Sequence, residues 1–486
     1  MALTRRASGL LREAANWLLY HDAVRRPVVR AVDWWLGIRF RPSHDHHAAR
    51  GAITRQRRLV YRAIVHTMDR VLGERLLSPH VARVITGLWG ETLLSWGRQP
   101  AVQRFRQEHG CDPPWFLVIS PGYACNLRCP GCYADSGPGQ GILGWSVIDR
   151  VVTEAKALWG VRLFVLSGGE PLLYRSEGKG ILDLVEKHSD CLFLMFTNGT
   201  LMSADVVTRL SRLGNLTPAL SVEGMRERTD GRRGVGVFDR ILVAMADLRK
   251  AGVPFGISAT VTRSNCEEIL SDKVLDYFFG DQGAFYGFLF QYTPIGRGAE
   301  FDLVPSPEQR TQLWRRSWEV VAEKRLFLLD FGNHGPLVEG CIAAGRERGY
   351  LYIDWNGKVM PCVFAPYSAA NINQVYANDG TLNDVWETPF FEAVRQWQRD
   401  YGYGHEALSP AGNWMHPCPF RDHHELFQQW IERYELEPED EAARAAVTNR
   451  EYGKAMIACG MRNLESSQEI WDKDYLGRGE KLDAGS

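Results

Sequence analysis

Cys125, Cys129 and Cys132 stand in the stretch "CNLRCPGC", four and then three residues apart. The chain spreads ten cysteines over 486 residues, which is too sparse for a disulfide scaffold. Close thiols in one short loop then read as metal ligands. A structural zinc site needs four ligands, and so does an ordinary electron-transfer cluster. No fourth cysteine lies nearby. Two readings follow. A distant residue completes a zinc site, or three thiolates hold three irons of a 4Fe–4S cube and leave the fourth iron open to bind a substrate or cofactor.

Three further short motifs carry polar groups of the kind that hold a ligand. "LSGGEP" brings Gly168 and Gly169, which allow close backbone approach, and Glu170, an anionic acceptor for an ammonium group. "FTNGTL" brings Thr197 and Asn198, and "SVEG" brings Ser221 and Glu223, placed like acceptors of ribose hydroxyls. Each alone is ordinary, since a Gly-Gly pair is usually a turn and a strand-end Glu is usually solvated.

The elements that position them are short apolar runs: "WFLVIS", "VRLFVLS", "CLFLMFT", "TPALSVEG", "FGISATVT" and "FYGFLFQYTPIG". Amphipathic stretches such as "SVIDRVVTEAKALWG" and "SADVVTRLSRLG" follow the earlier runs, with Ser146 and Ser203 at expected N-caps. Continuous apolar runs interleaved with helices predict parallel strands buried on both faces. About six such units between residues 109 and 300 predict an open barrel, because eight would close one. All three motifs and the cysteine loop then fall at strand C-termini, where α/β folds build their sites. Residues 1–108 read as helical. After the barrel, "SPEQRTQLWRRSWEVVAEKR" reads as a helix and "GYLYIDWNGKVMPCVF" as a hairpin turning through Asn356-Gly357 in type I′ geometry.

The formal net charge is −1, which gives no reason to expect nucleic acid as a partner. No apolar run is long enough to cross a bilayer. The basic, then apolar start lacks a signal-peptide pattern, so the expected location is cytoplasmic.

The C-x3-C-x2-C loop, the GGE-P loop and the partial barrel together resemble the radical S-adenosylmethionine (radical SAM) enzymes over roughly residues 112–300. The resemblance implies that Cys125, Cys129 and Cys132 ligate a 4Fe–4S cluster whose open iron is chelated by the methionine part of SAM. It implies that Gly168, Gly169 and Glu170 receive the SAM amino group and that Ser221 and Glu223 face its ribose. It places Thr197 and Asn198 at the same site, Arg233 of "RRGVGVF" near the SAM carboxylate, and Ile295 and Gly296 of "PIGRG" on the adenine side. The family usually has an aromatic residue just before the third cysteine, where this chain has Gly131 and then Tyr133 after it. The implied reaction is one-electron reduction of SAM to methionine and a 5′-deoxyadenosyl radical, which abstracts hydrogen from a substrate. The electron would come from a reductant such as a flavodoxin or ferredoxin.

Cys341 and Cys362 form C-x15-G-x4-C around Gly357, and Cys418 follows in "WMHPCPFRDHHE". This resembles the SPASM/twitch extension that holds auxiliary 4Fe–4S clusters, and "GTLNDVWETPFFEAVRQW" resembles its connecting helix. No further cysteine-rich run follows, so one auxiliary cluster is expected on Cys341, Cys362 and Cys418. Its fourth ligand is open between Cys459, His416, a carboxylate and substrate. The implied organisation is a helical region (1–108), a partial (β/α)6 radical SAM barrel (109–300), a linker helix and SPASM/twitch-like domain (301–430) and a helical tail (431–486). The substrate is open between peptide, lipid and small molecule. A non-catalytic iron–sulfur or zinc protein on the same scaffold is the reading from a different class. Last, "NWLLYHDAVRRPVVRAVDWWLGIRF" sets Trp17, Leu18, Val28, Trp34, Trp35 and Ile38 among Arg25, Arg26, Arg30 and Arg39. These aromatics either pack on the barrel or meet a membrane surface, which would make the enzyme membrane-associated and favour an apolar substrate.

Overall fold

The computed structural model describes residues 20–41, 48–90, 92, 95–404 and 412–478. Among the described residues, the helices α1 (Asp22–Arg39), α2 (Ala48–Gly73) and α3 (Pro79–Trp89) come first, and a further helix, Pro100–His109, leads into the sheet. The six apolar runs are then strands: β1 (Phe116–Ile119), β2 (Leu163–Leu166), β3 (Leu192–Thr197), β4 (Leu216–Ser221), β5 (Gly256–Val261) and β6 (Tyr286–Gln291). They pair in that order, all parallel.

Two more parallel strands extend this set beyond the six expected. β7 (Phe327–Asp330) pairs with β6, and β8 (Tyr350–Ile353) pairs with β1. β8 is the first strand of the expected hairpin. Its partner β9 (Lys358–Met360) runs antiparallel to it, and β10 (Ala370–Asn371) closes that edge. The ten-stranded sheet therefore runs β10-β9-β8-β1-β2-β3-β4-β5-β6-β7, open between its two edges. The hairpin turn is not type I′, because only Gly357 is left-handed (φ +80°). Trp355, Asn356 and Gly357 form a three-residue loop, with the Gly357 amide bonded to the Asp354 carbonyl at 3.1 Å.

Helical periodicity explains how the outer layer docks. In the helix Trp145–Trp159, the residues Trp145, Ile148, Val152, Ala155 and Trp159 recur at three- and four-residue spacing and are all buried. Ser203 caps its helix through the Val206 amide. Ser146 does not cap: Gly144 holds that position, and the Ser146 hydroxyl bonds Glu177 at 2.9 Å.

The N-terminal helices pack on the barrel. Val71 and Leu72 of α2, with Leu77, Val81 and Ala82, bury against Ala219, Phe285 and Tyr286 and reach Leu194, Phe196 and Phe288 of the inner wall. Arg70 adds hydrogen bonds to the carbonyls of Phe279 and Ala284 at 2.8 and 2.6 Å. This plug sits away from the strand C-termini that carry the motifs. Of the N-terminal apolar residues, Leu36 is buried, Trp34 and Trp35 are exposed, and Trp17 and Leu18 lie outside the described residues. At the other end of the chain, the expected helical tail is present as Glu441–Thr448 and Arg450–Ile470. The Tyr452 hydroxyl ties it to the Pro294 carbonyl beside the barrel.

Candidate active site

The cysteine loop leaves the end of β1, and two arginines hold its backbone. The Arg297 guanidinium donates to the carbonyls of Cys129 (3.0 Å), Asp135 (2.8 Å) and Ser136 (2.5 Å). Its own amide bonds the Cys132 carbonyl. Arg232 takes the carbonyls of Pro130 and Gly131 at 3.2 and 3.1 Å. With its carbonyls held, the loop presents Cys125, Cys129 and Cys132 on the wall of one cavity. Burial pushes the Cys125 thiol up to about 11, and Glu170 and the two neighbouring thiols add to the rise. A metal must therefore displace that proton to bind. Among the described residues, no three Cys, His, Asp or Glu side chains close to the span of a single ion.

Gly168 and Gly169 are needed for packing against this loop. Gly168 is left-handed (φ +105°), and a Cβ there would stand 2.9 Å from the Gly122 carbonyl oxygen. A Cβ on Gly169 would meet the Ala124 carbonyl at 2.2 Å. Tyr133, the residue after the third cysteine, anchors the same turn. Its hydroxyl lies 2.7 Å from Ser167 Oγ and accepts from the Gly168 amide at 3.2 Å. Glu170 differs from expectation: it is not an open acceptor. It is buried, and its carboxylate accepts from Thr197 Oγ1 (2.7 Å) and the amides of Asn198 (2.9 Å) and Leu172 (3.3 Å). It latches the β2 and β3 loops together, which leaves Gly168 and Gly169 as that turn's cavity surface. Asn198 lies beside the cluster loop, with Nδ2 bonded to Asn126 Oδ1 at 2.9 Å and 3.9 Å from Cys125 Sγ.

Glu223 is a second correction. It is buried, accepts from Arg232 (2.6 Å) and Arg233 (2.5 Å) on one oxygen, and takes the Thr260 amide on the other. Glu223 itself does not line the cavity. Ser221 does line the cavity, 3.4 Å from Ser258 Oγ. Arg233 lines it too, with both of its bonds on Glu223 and one terminal nitrogen left over. Ile295 points into the main core instead of the cavity. Gly296 is where the β6 loop crosses the cysteine loop: a Cβ would meet the carbonyls of Cys132 and Tyr133 at 2.4 Å.

Sequence reasoning missed Arg297, Arg232 and Tyr292. The signal for Tyr292 was the glycine at 131. Gly131 is left-handed (φ +63°), and a Cβ there would come 2.6 Å from Cε2 of the buried Tyr292 ring, which lines the cavity.

Below these residues the cavity, about 250 Å³, is apolar. Phe116, Phe196, Phe288, Phe290, Phe331 and Tyr350 stand in its wall. Phe290 stacks on Phe331 with ring centroids 4.7 Å apart, and Phe116 stacks on Tyr350 at 4.8 Å.

The second cysteine group adjoins the same cavity, because Val363 and Phe364, next to Cys362, complete its wall. Burial raises the Cys362 thiol well above its usual range, and Cys418 and Cys341 add to this. Cys418 is likewise pushed up to about 12, mainly by burial, with Cys341 among its neighbours. Backbone amides face these sulfurs: Ala343 faces Cys341, Phe364 and Ala365 face Cys362, and Arg421 faces Cys418 at 3.3 Å. Three mutually close thiols ringed by N–H donors fit an iron–sulfur cluster. Of the fourth-ligand candidates, Cys459 lines a small separate pocket with Arg263 and Arg462. Asp422 is held by Arg421 at 2.7 Å. His416 bonds the Gly460 carbonyl at 2.8 Å and keeps Nδ1 buried without a partner.

Comparison with known proteins gives matches to both halves of the site. The Radical SAM superfamily profile matches residues 119–269, and the SPASM iron–sulfur cluster-binding domain matches residues 341–407. The mycofactocin maturase MftC of Mycolicibacterium smegmatis is 30% identical over 319 residues, 61% of this chain and 77% of that protein. The AdoMet-dependent heme synthase of Methanosarcina barkeri is 28% identical over 293 residues, 54% of this chain and 79% of that protein. The crystal structure of Streptococcus suis SuiB bound to precursor peptide SuiA shares the fold at TM-score 0.50 and 19% identity, covering 65% of this chain and 72% of that one.

Proposed function

The chain belongs to the radical SAM superfamily and carries a SPASM iron–sulfur domain, and on that premise we propose that its substrate is a peptide whose apolar or aromatic side chain enters the chamber between the two cysteine groups. When bound, the reduced cluster supplies the electron that cleaves SAM to a 5′-deoxyadenosyl radical, which abstracts hydrogen from the substrate, and the enzyme carries an auxiliary cluster. The chain's own residues arrange the rest. Cys125, Cys129 and Cys132 hold the SAM-binding cluster, and Arg232 and Arg297 hold their loop. Gly168, Gly169, Thr197, Asn198, Ser221 and Arg233 form the polar rim for SAM, and Cys341, Cys362 and Cys418 hold the auxiliary cluster. A flavodoxin- or ferredoxin-class protein delivers the electron.

The observation that carries the reading is the aromatic chamber directly below the polar rim. Closing such a wall around a side chain excludes water from a reactive radical. Among the relatives, MftC is named a maturase, SkfB of Bacillus subtilis a maturation protein, and SuiB is seen with a precursor peptide. A tetrapyrrole, the substrate class that the heme synthase name brings to mind, needs cations for its carboxylates. Of the arginines lining the chamber, Arg232 is taken up by Glu223 and the cysteine loop, and the one terminal nitrogen that Arg233 keeps goes to SAM in this reading.

Peptides carrying deuterated Val, Leu, Phe or Tyr, incubated anaerobically with loaded enzyme, SAM and reduced flavodoxin, test this. The expected result is deuterium in 5′-deoxyadenosine and a mass change in the peptide. Stimulation by iron coproporphyrin with no transfer from any peptide would overturn it.

A further inference from the structure

We infer that the outer face of α1 is a docking surface for an anionic lipid bilayer, seated at headgroup depth. Pro27, Val28, Ala31, Trp34, Trp35 and Ile38 are all exposed. At 3.6 residues per turn they share an arc of roughly 120°. Trp34 is 70% exposed, Trp35 53%, Val28 44% and Ile38 42%. Apolar residues scattered singly over a surface are normal, but a contiguous stripe with two tryptophans marks a partner.

The helix cannot roll to hide this stripe, because its other face is tied to α2. Arg25 Nε bonds Asp69 at 2.6 Å, Arg62 bonds Asp33 at 2.6 Å, Phe40 stacks on Tyr61 at 5.2 Å, and Leu36 is buried. Those contacts also remove Asp33 from the exposed side. The borders of the stripe are basic: Arg26 and Arg30 stand exposed along one edge, Arg39 along the other, and Arg41 just past the end. Asp22, paired with Arg26 at 3.0 Å, is the acidic exception at the far N-terminus of the helix. Tryptophans flanked by arginines match the layered chemistry of a bilayer surface, with rings at the acyl boundary and guanidinium groups on anionic headgroups. Among the described residues, no helix is long and apolar enough to cross a membrane. The face therefore lies on the surface and does not span it. This inference is independent of the substrate.

The test is co-sedimentation of the full-length, cluster-loaded enzyme with phosphatidylcholine vesicles, with and without phosphatidylglycerol. The parent is expected to pellet with the anionic vesicles at low salt and to be released by high salt. The double variant Trp34→Ser/Trp35→Ser should bind at least about tenfold more weakly. Arg30→Gln/Arg39→Gln should lose the preference for phosphatidylglycerol. All should cleave SAM as the parent does, which reports intact folding. A parent that stays in the supernatant at every composition, or a tryptophan variant that pellets equally, overturns the proposal. Light scattering provides a further check: a dimer that forms without lipid and is lost in the tryptophan variant would assign the face to a second copy and also overturn it.

Discussion

At the residue scale, Gly131 stands where the family resemblance would place an aromatic, and the Tyr292 ring fills the space beside it. The glycine is left-handed, and its missing Cβ makes room for the Tyr292 ring 2.6 Å from where that atom would sit. If that ring covers the adenine, Tyr292→Ala should weaken SAM binding by about tenfold, the scale of one base–aromatic stack. Tyr292→Phe should keep most of it, and equilibrium binding to the reconstituted enzyme checks both. Glu223 makes a different prediction. It neutralises Arg232 and Arg233, and Arg232 also holds the cysteine loop. Glu223→Gln leaves two largely buried guanidinium groups without a counter-charge and should cost about 3 kcal/mol of stability. Denaturant midpoints measure that cost, and iron content should fall with it. Residue types and spacing picked out Cys125, Cys129, Cys132 and the polar residues that share their cavity, because those depend on short local motifs. They misplaced Glu170 and Glu223 because a carboxylate's partner is decided by which donors the fold brings up. Thr197 is 27 residues from Glu170, and the decisive arginines reach Glu223 from a separate helix.

At the element scale, the six strands were legible from their apolar runs. Of the two flanking strands, β7 went unread and β8 was legible only as half of a hairpin, because its pairing with β1 spans more than two hundred residues and no local pattern records that. The turn type was missed because Asp354 reshapes it. Its Oδ1 accepts the amides of Asn356 (2.9 Å) and Lys358 (2.7 Å), while Oδ2 is buried without a partner. Burial lifts the Asp354 carboxyl to about 7. The folded chain then holds a proton that the unfolded chain has released. The sign is therefore that stability falls as pH rises from about 4 to 7, at up to about 1.4 kcal/mol per unit, and levels off above. The difference in unfolding free energy between parent and Asp354→Asn should follow that slope across urea titrations at several pH values. The N-terminal helices were read as a separate region, but Leu72 is buried against the barrel wall. Leu72→Ala should cost about 2–4 kcal/mol of global stability, as a cavity does in a shared core. A loss confined to local unfolding of α1–α3, followed by hydrogen exchange, would contradict that packing.

At the scale of the whole molecule, both cysteine groups converge on one chamber. The first group lies in its wall, and Val363 and Phe364 carry the second group's loop into the same wall. The two groups use different loops and different supporting donors, so each cluster should load without the other. Cys362→Ala should lower iron from about eight to about four per chain and leave reductive SAM cleavage, now uncoupled from product. The most direct test of the account is the complementary variant, with Cys125, Cys129 and Cys132 all changed to Ala. It is reconstituted anaerobically and assayed together for iron and 5′-deoxyadenosine. The account predicts about four irons retained and no 5′-deoxyadenosine above background. If that variant still forms 5′-deoxyadenosine, the cysteine loop is not where SAM is cleaved, and the assignment of the site is wrong.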